Sequence, residues 1–194
     1  MAAPDESSSL LHQAFAAHQA GDMALAEGLY RQVLAREPDH ADALHLLGVL
    51  FHQAGENEPA IALLQRAIAR APRVAGYHVN LATLWMETGR LDEAVASCRA
   101  ALALDPSLPE AYNNMGTCLQ EQALPADAIA AFRMALRVRQ LYRAAHDNLL
   151  CALFLDPACD AATFALEHKL WQHRHADPLR ASPLPAGNDR SPRR

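Results

Sequence analysis

Residues 41–74 read ADALHLLGVLFHQAGENEPAIALLQRAIARAPRV, and this stretch decides the fold. Leu44, Leu47, Gly48 and Phe51 recur at i, i+3, i+4 and i+7, one face of an α-helix. Gly48 has no side chain, so a second helix can approach its backbone closely. Gly55 ends the helix, because glycine tolerates the left-handed conformation that helix stops use. Pro59 sits near the start of the next helix, where its missing N–H costs little. Ala60, Leu64, Ala67 and Ile68 form the inner face of that second helix, and Pro72 then blocks continuation and sets up a turn.

The same signals return on both sides at one interval. Gly21, Gly55 and Gly89 are 34 residues apart, as are Pro38, Pro72 and Pro106. The series Ala26, Ala60, Ala94, Ala128 and Leu47, Leu81, Met115, Leu149 keep the same spacing. Independent ladders sharing a period mark an array of helix pairs. The units fall at about 7–40, 41–74, 75–108 and 109–142, with a partial fifth at 143–157. The fourth unit carries Ala123 and Gln140 where glycine and proline stand elsewhere. Residues 1–6 are expected to be disordered, 158–177 to form a capping helix, and 178–194, rich in proline and arginine, to be an unpacked tail.

The run Gly48-x-x-Phe51, with Ala60, Leu64 and Pro72 downstream, resembles the tetratricopeptide repeat. Leu81, Ala82, Trp85, Gly89, Ala94, Cys98 and Pro106 repeat the resemblance in the next unit, and it spans about residues 7–155. It implies an all-α fold, a right-handed superhelix (α-solenoid) of antiparallel helix pairs whose concave groove binds a protein or extended peptide.

Composition fits that expectation. Half the residues are hydrophobic (51%), but only 6% are aromatic, and alanine and leucine, both strong helix formers, dominate. The net charge is −5 and Lys169 is the sole lysine, so an extended nucleic-acid surface is not expected. No run of 18 apolar residues is present to span a membrane, and the opening MAAPDESSSL lacks the basic and apolar regions of a secretory signal. Cys98, Cys118, Cys151 and Cys159 form no C-x-x-C pair, and free thiols in a reducing cytoplasm are expected.

At 100° per residue, the second, sixth, ninth and thirteenth positions of each unit lie opposite the packed face of its first helix. In tetratricopeptide superhelices that face resembles the lining of the groove, which implicates Asp42, Asn80, Thr83, Glu87, Asn114, Thr117, Glu121 and Asn148. Asn80, Asn114 and Asn148 stand 34 residues apart although asparagine is a poor helix former. Their amides each offer a donor and an acceptor, which suits a ligand held by its backbone. The alternative is that they hydrogen-bond neighbouring helices or water. The groove positions carry no cation to clamp a carboxylate terminus. His45 with His52, and His168 with His173 and His175, lack metal-ligand spacing, so no metal or cofactor is expected.

Residues 147–176 add a second resemblance. Asn148-Leu149-Leu150, Asp156-Pro157, Glu167-His168, Trp171 and Arg174-His175-Ala176 resemble the junction in bacterial SPINDLY-type and O-GlcNAc-transferase-like glycosyltransferases. There, repeats lead into a two-lobed catalytic domain, and a groove lined by asparagines holds substrate polypeptide. The resemblance implies a substrate-recruiting region without the catalytic lobes, and hence no turnover by this chain. The other reading is a stand-alone scaffold or adaptor, with self-association as a possibility. From its spacing, an amphipathic helix with Phe164, Leu166, Leu170 and Trp171 on its inner face is expected to cover the end of the stack.

Overall fold

The computed structural model describes residues 6–176. Among them are ten α-helices and no strand: α1 (Glu6–Gln19), α2 (Met23–Arg36), α3 (Ala41–Gln53), α4 (Asn57–Arg70), α5 (Ala75–Glu87), α6 (Leu91–Leu104), α7 (Pro109–Glu121), α8 (Pro125–Val138), α9 (Arg143–Leu155) and α10 (Ala161–Trp171), followed by a π-helical turn at Gln172–Ala176. The molecule is an α-solenoid of antiparallel pairs, with α9 and α10 in the place of a fifth pair. Glu6, expected in a disordered start, is instead the first residue of α1, and its carboxylate pairs with Arg36 at 2.8 Å. Residues 1–5 and 177–194, which include the expected tail at 178–194, lie outside the described residues.

The turn inside each pair follows from one backbone requirement. Gly21, Gly55 and Gly89 adopt φ of 82°, 82° and 74°, and the N–H of the next residue reaches back five positions to close the helix end. The bonds are Asp22 N–H to Ala17 O, Glu56 N–H to Phe51 O and Arg90 N–H to Trp85 O. The fourth unit makes the identical closure, Leu124 N–H to Leu119 O at 2.9 Å, with Ala123 at φ 59°. Its turn into α9 likewise forms with Gln140 in place of proline.

Ala26, Ala60, Ala94 and Ala128 are fully buried where the two helices of each pair cross. The core runs along the rod from Ala60 to Leu153, with a separate cluster of Ala14, Ala17, Ala26, Tyr30, Leu47 and Leu50 at the first end. Each second helix packs between its own partner and the next first helix. The first helices α1, α3, α5, α7 and α9 also touch one another in series and therefore form the inner wall.

The end helix α10 packs on α9 through Phe164, which joins the main core cluster. The expected inner face is corrected here. Phe164, Glu167 and Trp171 are half-buried, whereas Leu166 is 61% exposed and Leu170 36%. The inward stripe is thus rotated away from Leu166, because α10 docks through a polar seam as well as an apolar one. Trp171 Nε1–H donates to the Asp147 carboxylate, and Arg143 lies over the Trp171 ring. Under this seam His146 is fully buried, its Nδ1 3.2 Å from His175 Nε2 and its Nε2 3.2 Å from Glu167 Oε1, the latter without the alignment of a hydrogen bond.

Candidate functional site

The inner wall is built from the exposed stripe of each first helix, and its polar side chains are tied to one another across the units. Asn80 Nδ2 donates to His45 Nε2 at 2.6 Å, Asn114 Nδ2 to Thr83 Oγ1 at 3.1 Å, and Asn148 Nδ2 to Asn113 Oδ1 at 3.0 Å. All three asparagines are therefore oriented by the unit before them. Among the described residues these bonds run through Nδ2, which leaves each amide with its oxygen and a second N–H. Thr83 also donates to Val79 O and Thr117 to Asn113 O, each within its own helix.

Five of the cross-links follow a register one residue longer than the repeat, whereas Asn114–Thr83 spans 31 residues. Tyr77 O–H donates to the Asp42 carboxylate, His18 Nε2 bonds Gln53 Oε1 at 2.9 Å, and His52 Nε2 bonds Glu87 Oε2 at 2.7 Å. With Asn80–His45 and Asn148–Asn113, these pairs span 35 residues. Sequence reasoning, working at 34, grouped the groove residues but missed Tyr77, His45, His52 and Asn113 as the partners of Asp42, Asn80, Glu87 and Asn148, and the His18–Gln53 pair beside them. Complementary pairs at a lag of 35 were the available signal. Glu121, at the corresponding place in the fourth unit, is exposed.

Electrostatics suit this arrangement. Burial pushes His45 below its ordinary 6.5, against an opposing pull from Asp42, so the ring is neutral and Nε2 is free to accept from Asn80. His45 also stacks on Tyr77, with ring centroids 4.4 Å apart. Burial first, and then the bond and charge of Asp42, raise the Tyr77 phenol far above 10. That phenol stays a donor.

Extending the groove positions back into the first unit adds His12 and Phe15, two residues the sequence reading left out. With Leu11, Asp42, His45 and Leu46 they line a hollow of about 260 Å³ between α1 and α3. A wider cleft of about 600 Å³ lies on the other side of the rod, between α6 and α8, and is floored by Tyr112, Met115 and Leu119 of α7.

Burial pushes the thiols of Cys98 and Cys118 up to about 12 and about 11, with a smaller push from Cys118 on the former and Glu121 on the latter. Neither thiol is a nucleophile at neutral pH. Among the described residues no group of three histidine, cysteine or acidic side chains is placed to hold a metal ion, and no helix is long and apolar enough to cross a membrane.

A family model described as "Tetratricopeptide repeat" matches residues 17–84, and one described as "TPR repeat" matches residues 84–122. No curated protein matches the chain by sequence. Among solved structures, a crystal structure of MamA superimposes with a TM-score of 0.81 at 16% identity, covering 92% of this chain and 98% of that one. PilF of Pseudomonas aeruginosa gives 0.76 at 21% identity, over 86% and 75% of the two chains. YrrB, described as a TPR protein with an unusual peptide-binding site, gives 0.74 at 14% identity over 90% and 89%. At these identities the likeness is one of fold.

Proposed function

The chain belongs to the tetratricopeptide repeat family, and from that premise we propose that its concave wall holds an extended segment of a partner protein. The observation that carries the proposal is the row Asn80, Asn114, Asn148, each amide fixed by a bond to the preceding unit and each retaining an acceptor and a donor. Amides held in place before binding lose little rotamer freedom on meeting a ligand, which favours recognition of a peptide backbone. Asp42, Thr83, Glu87, Thr117 and Glu121 complete the surface. YrrB, a relative in fold, is itself described as having a peptide-binding site.

The finer reading is that this is the substrate-recruiting region of a protein O-GlcNAc-transferase-like glycosyltransferase. It rests on the Asn-Leu-Leu to Arg-His-Ala run at 148–176 and on the asparagine row; none of the comparisons carries that link. A scaffold that assembles through its end is the second reading. It is favoured by Phe154, Leu155 and Leu166, which lie 77%, 58% and 61% exposed near the α9–α10 end.

Titrating extended peptides of unrelated sequence into wild type and the Asn80→Ala/Asn114→Ala/Asn148→Ala variant tests the first reading. A uniform loss of affinity is expected, and equal affinities would remove the asparagine row from the site. Light scattering on Phe154→Ser/Leu166→Ser tests the second, which requires an assembly in the wild type that this variant dissolves.

A further inference from the structure

The inner wall changes character along its length. At the sixth and ninth positions, units three to five present Asn80, Thr83, Asn114, Thr117, Asn148 and Cys151, whereas the first two units present His12, Phe15, Leu46 and Val49, three of them apolar. Phe15 occupies the ninth position of its unit, where Thr83 and Thr117 stand later, and is 43% exposed. A phenylalanine there contributes little to the stack, yet it forms one side of the hollow between α1 and α3. At about 260 Å³ the hollow is smaller than the roughly 300–1,000 Å³ of typical small-molecule sites. It suits a single large side chain presented by a longer ligand.

Two further features say what that ligand carries. Asp42 rims the hollow, and among the described residues no lysine or arginine pairs with it; its partner is the neutral Tyr77 hydroxyl. Further along the same wall Glu87 is bonded to His52 and Glu121 has no arginine or lysine partner among the described residues, while Arg36, Arg70 and Arg139 pair with carboxylates away from the hollow. The rim of the hollow at Asp42 is thus complementary to a cation. The hollow is also joined to the asparagine row, because its wall residue His45 accepts from Asn80.

We propose that the hollow between α1 and α3 is the anchor pocket of the groove, taking one leucine-sized or aromatic side chain of an extended segment that places an arginine or lysine against Asp42. The proposal rests on the concave wall being a peptide groove. It gives the groove a direction, since the anchored end of the segment lies at the first two units and the remainder runs along Asn80, Asn114 and Asn148.

The test uses fluorescein-labelled ten-residue peptides of serine, threonine, alanine and glycine, each bearing one leucine and one arginine separated by one to four residues. Binding is read by anisotropy. At the best spacing, replacing the peptide leucine by alanine is expected to weaken binding to wild type about ten- to thirty-fold, and to the Phe15→Ala variant by about twofold or less. Replacing the peptide arginine by glutamate should weaken binding to wild type several-fold more than to Asp42→Asn. Melting curves confirm that both variants remain folded. A leucine penalty equal in wild type and Phe15→Ala overturns the anchor pocket. The groove itself survives that result if the triple asparagine variant weakens every peptide, and falls with the pocket if no peptide binds. A dimer that Phe15→Ala dissolves would assign the hollow to a second copy of the chain and also overturn the proposal.

Discussion

A methyl group added to Gly116 would lie 2.6 Å from Cε1 of Phe132, a ring that is itself fully buried. The two helices of the fourth pair are therefore in contact through a backbone on one side and an aromatic edge on the other. In the second pair the corresponding Gly48 is less crowded, with 3.3 Å to Ala60 O and to Leu64 Cγ. Gly116→Ala should destabilise the protein by up to about 2 kcal/mol, since the steric cost of about 1–3 kcal/mol is partly offset by the better helix propensity of alanine. Gly48→Ala should come out near neutral by the same balance. Denaturant midpoints of the two variants check the contrast, and equal shifts would contradict it.

Ala123 holds the left-handed conformation that glycine holds in the other three turns, at φ 59°. Alanine is strained there, while glycine pays more chain entropy on folding. Ala123→Gly should raise stability by about 0.5–1 kcal/mol, with the strain term the larger. Thermal denaturation measures it, and a lowered melting temperature would show that entropy wins.

The asparagine row now has a stability consequence as well as a binding one. Each of Asn80, Asn114 and Asn148 donates to the preceding unit. Changing all three to alanine loses about 0.5–1.5 kcal/mol per bond and regains up to about 0.7 kcal/mol each in helix propensity. The balance runs from near neutral to a net loss of about 2.4 kcal/mol, alongside weaker peptide binding. Asn114→Ser, which keeps a short donor toward Thr83, should recover part of the stability. A triple variant stabilised by the full propensity gain, about 2 kcal/mol, would mean that the cross-links are idle.

Acid should loosen the α10 end first. Burial lowers His146 below its ordinary 6.5, Glu167 pulls the other way, and His175 and Arg174 lower it further. Burial also lowers His175, against Asp147 and with Arg143 and Arg174. Arg133 and Arg137 of α8 line the adjoining cleft with Glu167 and Arg174. A histidine with a depressed folded pKa leaves the unfolded state holding more protons once pH drops below about 6.5, so its stability contribution is complete above that value and declines as pH falls toward the folded pKa. In a Trp85→Phe background, Trp171 emission should shift red as pH falls from about 7.5 to about 5.5, and His146→Gln should flatten the response. A spectrum unchanged over that range would refute the assignment.

Much of the architecture was legible because each repeating signal answers a local physical demand. The left-handed turn favours glycine, as at Gly21, Gly55 and Gly89, the crossing is filled by Ala26, Ala60, Ala94 and Ala128, and the chain alone displays their period. The groove stripe followed from the same helical geometry, though it was not carried back to His12 and Phe15 in the first unit.

What the sequence by itself determined was the array: the number of pairs, the position of their turns and the residues at their crossings. Only the tertiary structure decided the rest. The pairing at 35 residues depends on how far one first helix slides along the next, and that offset is set by packing of side chains contributed by different units. Ala123 enters the left-handed region because Leu119 and Leu124 close the turn around it, overriding its own preference. Leu166 faces outward because the docking of α10 is shared between Phe164 and the buried His146–Glu167 contact, and no periodicity within α10 could announce a partner that lies on α9.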